Sequence, residues 1–322
     1  MQVDTPILPH LAEIEESAKI VYRSMTPTPQ YRWPLLEERA GRELWVKHEN
    51  HTPIGAFKVR GGLVYIDDLA RSANATHGVI CATRGNHGQS VAFAARCAGI
   101  PCIAVVPHNN SREKNAAIRA LGAQLIEHGS DFQESFEFAQ QEAERKGLHF
   151  VPSYHPALVR GVATMGLEFF RATPHLDAVY APVGLGSALS GLLAARNALG
   201  TDTEIVIVAA ENAPTYALSL KNEVITPAAA DTIADGMACR VAHADALALF
   251  LKERLRVVVV SEAQIVHAMR AYFTDTHNIA EGAGAASLAA VINDPERSRY
   301  QRVGVILTGG NVDSDVFVSV LT

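Results

Sequence analysis

Short apolar runs alternate with longer amphipathic stretches from Gly78 onward, and this alternation restricts the fold more than any other feature of the chain. The runs 79–82 and 102–106 have the length of strands, and the stretch between them is long enough for a helix. A strand, a helix and a further strand form the repeating unit of a parallel sheet with helices on its faces. The sequence therefore predicts an α/β protein.

Glycine, proline and N-capping residues mark where the predicted elements begin and end. Asp131 begins a helix that ends at Gly147, and Ser261 with Gln264 has the spacing of a capping box. The predicted strands are 79–82, 102–106, 123–126, 178–181, 204–210 and 303–307, and the predicted helices are 89–97, 111–121, 131–147, 158–171, 188–198 and 261–274. We expect the units from 78 to 153 to form a compact small domain.

The composition restricts the class of protein. A chain of 322 residues is long enough for about two domains. Its 48% hydrophobic and 19% charged residues indicate a globular protein with a large core rather than a disordered chain. A net charge of −6 without a basic run argues against a nucleic-acid partner and favours a small-molecule partner.

No feature of the sequence indicates a membrane, a secretory pathway or a metal. No apolar run approaches the ~18 residues of a membrane span, and the N-terminus lacks a signal-peptide pattern, so we expect a cytoplasmic protein. The four cysteines form no CxxC pair, and we expect buried thiols in a reducing compartment. The thirteen histidines show no HExxH-type spacing, so we expect no metal.

One lysine, Lys58, follows Phe57 and precedes the glycine pair Gly61-Gly62. A lysine buried beside apolar groups loses proton affinity, because desolvation disfavours the ammonium, and the free amine can then condense with an aldehyde. The alternative is a surface lysine after a buried phenylalanine, which is the usual position of lysine.

Two glycine loops lie downstream of this lysine, at 83–89 and at 182–187. The second loop leads through Ser187 into a predicted helix, so backbone N–H groups and a helix N-terminus are available to a phosphate dianion. The alternatives are a tight turn without a ligand and a dinucleotide-binding loop. The dinucleotide loop fits less well, because Leu189 stands where the third glycine of G-x-G-x-x-G should fall.

These motifs occur in a fixed order: Phe57-Lys58, 85–88, 184–187, 232–236 and 308–311. In them the chain resembles the fold type II enzymes of pyridoxal 5'-phosphate (PLP), which are tryptophan synthase β-like. Within these it resembles the threonine dehydratase and serine racemase group, including the members associated with ectoine catabolism. The resemblance covers nearly the whole chain and implies two open twisted sheets flanked by helices. It further implies a large PLP-binding domain at 1–77 and 154–322, a small domain at 78–153, the cofactor between them, and a homodimer.

The resemblance also implies roles for individual residues. Lys58 is the Schiff-base lysine and removes the α-proton, Asn86 hydrogen-bonds the phenolic oxygen of the cofactor, and Thr308 faces the pyridine nitrogen. The other expected cofactor-binding residues are Phe57 against the ring, Gly236 on its opposite side, Glu281 nearby, and Gly184, Leu185, Gly186 and Ser187 at the phosphate. The alternatives are ordinary core for Phe57, a strand-end threonine for Thr308 and a solvated helix-terminus charge for Glu281.

The expected substrate-binding residues are Thr83, Arg84, Gly85, His87 and Ser153, with His87 in a structural rather than a catalytic role. Relatives with racemase activity carry a serine acid/base at the position of Arg84, and a guanidinium cannot easily act as a base. We expect Arg84 to favour substrates with a second carboxylate; the alternatives are pairing with a protein acid or the α-carboxylate, or a solvent-facing side chain. Glu211 matches one ligand of a cation site in some relatives, but Ala217 stands where an acidic ligand is expected.

The resemblance implies a PLP-dependent ammonia-lyase. Such an enzyme converts a β-hydroxy amino acid of the threonine, serine or 3-hydroxyaspartate class into a 2-oxo acid and ammonia through an aminoacrylate. The alternatives are a PLP-dependent racemase, a β-replacement enzyme, and a PLP-binding or amino-acid-sensing protein without turnover. Arg84 opposes racemisation, and the lack of the Ser-Gly-Asn-Thr type loop of cysteine synthases opposes β-replacement.

Overall fold

The structure is a computed structural model that describes residues 8–72, 76–173 and 175–322. Its strands over these ranges are β1 (Gln30–Arg32), β2 (Glu43–His48), β3 (Val79–Ala82), β4 (Cys102–Val106), β5 (Gln124–Glu127), β6 (His149–Phe150), β7 (Ala178–Pro182), β8 (Glu204–Ala210), β9 (Arg256–Val260) and β10 (Arg302–Leu307). Its α-helices are α1 (Leu11–Val21), α2 (Pro34–Ala40), α3 (Lys58–Arg71), α4 (Asn86–Ala98), α5 (Arg112–Ala120), α6 (Phe132–Lys146), α7 (Pro156–Ala172), α8 (Ser187–Leu199), α9 (Thr215–Asn222), α10 (Ala244–Lys252), α11 (Glu262–Thr276), α12 (Gly282–Asn293) and α13 (Ser314–Leu321).

The strands form two sheets. The larger sheet has the order β1-β2-β10-β7-β8-β9 and is parallel except for β1, which pairs antiparallel with β2. The smaller sheet has the order β5-β4-β3-β6 and is entirely parallel. This arrangement confirms the predicted α/β fold with two open sheets flanked by helices.

Several predicted boundaries agree with the structure to the residue, including those of β3, β4 and β8. The helix α4 begins three residues earlier than predicted, at Asn86 rather than at 89. The reason lies in the preceding turn, where Thr83 Oγ1 accepts hydrogen bonds from the backbone N–H groups of Gly85 and Gly88, both at 2.9 Å. These bonds close the turn tightly enough for helical geometry to start at once.

Three loops follow the carboxyl ends of parallel strands and surround one cleft. They are 83–85 after β3, 183–186 after β7 and 308–311 after β10. Ligands of open α/β sheets bind at the carboxyl ends of strands. The helix α3 completes the cleft and packs against both α4 and α7. The predicted domain division at 77/78 and 153/154 stays a prediction.

The prediction of buried thiols is correct for Cys81 and Cys102, and Cys239 is half-buried. It is wrong for Cys97, which is exposed because the last turn of α4 faces solvent. All four cysteines are free thiols. Among the described helices, none combines the length and the apolar character that crossing a membrane requires.

Candidate active site

Lys58 is the first residue of α3 and lies beside the loop that follows β10. The backbone holds it there, because Phe57 N donates to Thr308 O at 3.0 Å and Ala56 forms a β-bridge with Gly309. The start of α3 is therefore positioned by backbone pairing with the end of β10. Contacts of the Lys58 side chain are not what positions it.

The Lys58 side chain is half-buried, and its Nζ lies 5.0 Å from the centre of the Phe57 ring. No hydrogen bond or ion pair joins this nitrogen to any residue in the described ranges. Burial lowers the pKa of Lys58 to about 8, and the negative charge of Glu281 offsets this only in part. Near neutral pH, part of the population therefore carries the nucleophilic free amine.

A cavity extends from Lys58 to the start of α8. The structure brings every predicted cofactor-binding residue to its wall: Phe57, Lys58, Asn86, Gly184, Leu185, Gly186, Ser187, Gly236, Glu281 and Thr308. Pro182, Ala188 and Ala283 complete the lining. Residues more than 200 positions apart in the chain meet here because the loops after β3, β7 and β10 converge.

One end of the cavity is the loop 183–186, which leads into α8. Gly186 is the N-cap of α8 at φ +99°, a left-handed conformation that side chains with a Cβ rarely adopt. A Cβ on Gly184 would lie 2.2 Å from Gly236 O, so the two backbones pass in direct contact. Tyr216, which the sequence analysis missed, donates from its hydroxyl to Leu185 O at 3.1 Å and supports the loop. The unsatisfied N–H groups at the start of α8 suit a phosphate dianion.

A chain of hydrogen bonds through the Asn86 amide forms the side wall. Asn86 Nδ2 donates to Glu281 Oε1 at 2.7 Å, and Asn86 Oδ1 accepts from Asn311 Nδ2 at 2.9 Å. Asn311 Nδ2 also donates to the backbone oxygen of Ile54 at 2.8 Å. One N–H of Asn86 is left without an acceptor in the part of the chain that the structure describes. This donor is available to a phenolic oxygen in the cavity.

Lys114, in the first turn of α5, contacts the other side of Glu281. Its Nζ lies 3.1 Å from Glu281 Oε2 and 2.5 Å from Asp235 Oδ2. Burial raises the pKa of Glu281, although the ammonium of Lys114 acts in the opposite direction. Burial lowers the pKa of Lys114, but the two carboxylates outweigh this and raise it above its ordinary value. Glu281 is only 3% exposed, so the alternative of a solvated helix-terminus charge is wrong.

None of the five predicted substrate-binding residues lines this cavity. Arg84 is exposed and lines a larger open cleft beside it, together with Lys114, Asp235 and Glu281. The guanidinium of Arg84 has no hydrogen-bond or ion-pair partner within residues 8–72, 76–173 and 175–322. Ser153 is half-buried in the loop between β6 and α7 and lines neither the cavity nor the cleft.

The other three predicted substrate-binding residues form the turn before α4 and its first residues. Thr83 holds the turn through its two backbone hydrogen bonds. Gly85 leaves room for a side chain rather than for a ligand, because a Cβ there would lie 2.3 Å from Lys114 Cδ. Burial, assisted by a neighbouring lysine charge, lowers the pKa of His87 to about 3, so this imidazole is neutral. Its Nε2 is buried without a hydrogen-bond partner among the described residues.

The groups that line the cavity suit the parts of a PLP molecule. Lys58 offers an unpaired amine of lowered pKa, the start of α8 offers N–H groups, and Asn86 offers one free donor. The Thr308 side chain lies at the wall and is 3% exposed. No cluster of three or more histidine, cysteine, aspartate or glutamate side chains in the described ranges has the arrangement of a metal site, and Glu211 is exposed.

Comparison with known proteins gives the same family. The family described as pyridoxal-phosphate dependent enzyme matches residues 21–309. An L-threonine ammonia-lyase of Thermotoga maritima is 32% identical over 305 residues, which cover 94% of this chain and 76% of the relative. A beta-hydroxyaspartate dehydratase of Paracoccus denitrificans is 33% identical over 291 residues, covering 89% and 91%. A solved pyridoxal 5'-phosphate-dependent aspartate racemase is similar with a TM-score of 0.89 at 26% identity, covering 98% of both chains. The motifs, the cavity and these matches together show that the chain belongs to the pyridoxal-phosphate dependent enzyme family and uses PLP as its cofactor.

Proposed function

We propose that the protein is a PLP-dependent ammonia-lyase of the threonine dehydratase type, which converts a small β-hydroxy amino acid into a 2-oxo acid and ammonia. The observation that carries this proposal is the unpaired amine of Lys58 at one end of a cavity whose other end suits a phosphate. The names of the two relatives, an L-threonine ammonia-lyase and a beta-hydroxyaspartate dehydratase, support the reaction class.

Two residues of the wall, Lys58 and Thr308, have a task in this reaction. The bound cofactor acts as an electron sink that makes the α-proton of the substrate acidic. Lys58 Nζ takes this proton as the general base, since its lowered pKa leaves a free amine near neutral pH. Thr308 would offer the ring nitrogen of the bound cofactor a hydroxyl and no negative charge, so this residue would not hold a proton there. A weakly protonated ring would favour loss of the β-hydroxyl, which leaves as water after taking up a proton, over transamination.

The test is release of a 2-oxo acid by the reconstituted protein with threonine, serine and 3-hydroxyaspartate. We expect a 2-oxo acid and ammonia in equal amounts from at least one of them, and none from the Lys58→Ala variant. A wild-type protein that binds PLP but releases no 2-oxo acid from the panel would contradict an ammonia-lyase of this substrate class.

The position and the unpaired charge of Arg84 support the proposal that the substrate has a second carboxylate. Its guanidinium lines the cleft beside the cavity and has no acidic partner in the described residues, although Asp235 and Glu281 line the same cleft. A carboxylate is the bidentate partner that a guanidinium favours. One relative is named a beta-hydroxyaspartate dehydratase, which agrees with this chemistry. We therefore propose 3-hydroxyaspartate ahead of threonine and serine, which remain in the substrate class.

The substrate proposal is tested by kcat/KM for 3-hydroxyaspartate and threonine in wild type, Arg84→Ser and Arg84→Lys. A lost charge-assisted hydrogen bond changes an interaction by about tenfold or more. We expect the preference for 3-hydroxyaspartate to fall by that factor in Arg84→Ser and by less in Arg84→Lys, which keeps the charge. An unchanged ratio in Arg84→Ser would show that Arg84 does not bind the second carboxylate.

A racemase is the second candidate, because the fold is similar to the solved aspartate racemase. Racemisation needs an acid/base group on the face opposite Lys58, and a guanidinium at position 84 cannot easily supply or accept that proton. Chiral analysis of the remaining substrate distinguishes the two. Formation of the opposite enantiomer faster than the 2-oxo acid would favour the racemase.

We also propose a homodimer. The side chains of Tyr31 and Leu35 are 48% and 51% exposed, and the Tyr31 ring lies 5.8 Å from that of Trp33 and 5.6 Å from that of His48. This aromatic face at the edge strand β1 suits burial against a second copy. Light scattering should give the mass of two chains, and Tyr31→Glu should shift the mass toward one. A wild-type mass of one chain would contradict the proposal.

A cytoplasmic location is proposed from the free thiols of Cys81, Cys97, Cys102 and Cys239, because proteins in oxidising compartments usually pair their cysteines. Fractionation of the native cells tests this location.

A further inference from the structure

Lys114 is a buried cation that the proposed reaction does not use. Its ammonium is 5% exposed and binds Glu281 at 3.1 Å and Asp235 at 2.5 Å. Glu281 in turn accepts from Asn86, and Asn86 accepts from Asn311. Lys114 lies in α5 and Asn86 in α4, whereas Glu281 is the N-cap of α12 and Asn311 follows β10, so the chain of contacts joins elements next to both sheets.

Three glycines of the cleft loops leave the space that this chain of contacts occupies. A Cβ on Gly85 would lie 2.3 Å from Lys114 Cδ, one on Gly309 would lie 2.5 Å from Glu281 Oε1, and one on Gly55 would lie 2.6 Å from Asn311 Oδ1. Each member of the chain is therefore packed against a backbone that has no side chain at the point of contact. The packing of these loops therefore includes the polar contacts of Lys114, Glu281 and Asn311.

The contacts allow only one orientation of the Asn86 amide. Asn311 donates to its oxygen, and Glu281 accepts from its nitrogen. A reversed amide would place its oxygen against a carboxylate and its NH₂ against the NH₂ of Asn311, which loses both bonds. In the observed orientation, the second N–H of Asn86 is the donor left at the wall of the cavity.

Lys114 supplies the charge that this orientation depends on. Glu281 is buried, its pKa is raised by burial, and Asp235 adds a second negative charge nearby. Without the ammonium, two carboxylates would face each other and Glu281 would take up a proton. A protonated Glu281 is a weaker acceptor for the Asn86 amide.

The position of Lys114 is itself set by a contact between α5 and α13. Asp313 Oδ1 accepts from Ser111 Oγ at 2.5 Å and from Glu113 N at 3.2 Å, which caps the start of α5. Glu113 Oε1 accepts from Ser314 N at 2.9 Å, which caps the start of α13. The two helices thus cap each other, and this holds the first turn of α5, with Lys114, over the cleft.

We propose that Lys114 is a positioning residue for the cofactor, which acts through Glu281 to keep one Asn86 N–H directed at the cofactor's phenolic oxygen, with Asn311 fixing the same amide from the other side. This inference rests on the proposed function only in that PLP occupies the cavity. Lys114 touches neither the cofactor nor the substrate in this assignment.

The test uses PLP binding and the absorbance of the lysine-linked cofactor in the full chain. The variants are Lys114→Met, Glu281→Gln, the double variant of these two, the isosteric Asn311→Asp, and the control Lys146→Met. Lys146 is a lysine of α6 that pairs with Glu142 at 3.0 Å, away from the cleft. Circular dichroism of each apoprotein checks the fold.

We expect Lys114→Met to weaken PLP binding about tenfold, the effect of one lost hydrogen bond to a charged group. The violet absorbance band should also lose intensity to the near-ultraviolet band, because the phenolate loses its donor. The neutral amide introduced by Glu281→Gln keeps an oxygen that accepts from Asn86 and needs no cation. The double variant should therefore regain most of the affinity and the violet band. Asn311→Asp should weaken binding as Lys114→Met does, and Lys146→Met should match wild type.

Two results would overturn the inference. One is a Lys114→Met protein with wild-type affinity and spectrum. The other is a double variant no better than Lys114→Met, because Lys114 would then not act through Glu281. If Lys114→Met does not fold, Asn311→Asp decides the matter, and a wild-type spectrum in that variant overturns the inference. A wild-type protein that binds no PLP would instead refute the proposed function, which separates the two failures.

Discussion

A buried charge cluster and an unpaired lysine lie on different sides of the first turn of α3, and only the lysine faces the cavity. Behind the helix, Arg60 is fully buried and binds Glu49 at 2.8 Å and Glu168 at 2.6 Å, while Lys47 binds Glu168 at 2.6 Å. Each charge there has a partner of opposite sign. Toward the cavity, Lys58 has no partner in the described residues. Positions 58 and 60 point in different directions because residues two apart on a helix do not share a face.

Lys47 behind α3 and Lys58 toward the cavity differ in whether the ammonium has a partner. Burial lowers the pKa of both Lys47 and Lys58. Lys47 donates to Thr28 O at 2.7 Å, to Gln30 Oε1 at 3.2 Å and to Glu168, so its ammonium is fully used. Burial alone therefore does not identify a reactive lysine. We infer the reactive lysine from the lack of a partner for Lys58 together with its position in the cavity proposed for PLP.

The largest expected effect separates these lysines directly. Lys58→Ala should lower kcat by about 10⁴-fold or more, because it removes both the cofactor linkage and the general base. It should also abolish the violet absorbance band while the circular dichroism spectrum stays that of wild type. Lys47→Met, as the matched variant, should keep the band. A Lys58→Ala protein with wild-type turnover would disprove the assignment, and loss of the band in Lys47→Met would remove the contrast between the two regions.

The cluster behind α3 should show its role in stability. Arg60→Met leaves two buried carboxylates short of a cation and should cost about 3–5 kcal/mol in the free energy of unfolding. Arg145→Met, which removes an exposed pair with Glu142, should leave the urea midpoint near that of wild type. If both variants unfold at the same urea concentration, the cluster does not stabilise the fold as proposed.

The phosphate end should tolerate loss of a side chain better than added bulk. Gly186→Val should weaken PLP binding about 100-fold or more, because φ is +99° and a Cβ would lie 2.7 Å from the Ala246 Cβ. Ser187→Ala removes one hydroxyl and should weaken binding by about tenfold at most. Equilibrium dialysis measures both. Equal affinities would mean that the phosphate binds elsewhere.

The smallest expected effect concerns pH. The free amine of Lys58 is the nucleophile that captures PLP, so the rate of reconstitution of the apoprotein should rise with pH and reach half its maximum near the pKa of about 8. Stopped-flow absorbance measures this rate. A free lysine analogue, as the control, should need a pH about 2 units higher. A protein midpoint as high as that of the analogue would show that burial does not activate Lys58.

Local patterns were sufficient to predict six of the ten described strands, and the family resemblance pointed to residues that the structure brings to the wall of one cavity. Gly147 and the capping box at Ser261 end or begin helices where expected, because caps act within one turn. The strands β1, β2, β6 and β9 were not predicted. β1 has only three residues, and β2 includes the buried but polar Lys47 and His48, which interrupt its apolar pattern.

Lys114 and Asn311 show what a local pattern cannot reveal. Lys114 lies in a helix rich in charged residues, where a lysine predicts an exposed side chain. Its burial results from the approach of Glu281 and Asp235, which lie more than 100 positions away. Gly85 was predicted to be a substrate-binding residue, and in the structure its missing Cβ makes room for the Lys114 side chain.

The sequence by itself determined the α/β fold and the family, and it pointed to Lys58 as the candidate reactive lysine, because short-range periodicity, caps and ordered motifs carry that information. Only the tertiary structure decided which buried charges are mutually satisfied and which are left free. The difference between Lys47 and Lys58, and the burial of Lys114, depend on carboxylates and carbonyl oxygens brought from distant positions. Electrostatic partners depend on distances in space, and the order of residues along the chain does not encode these distances locally.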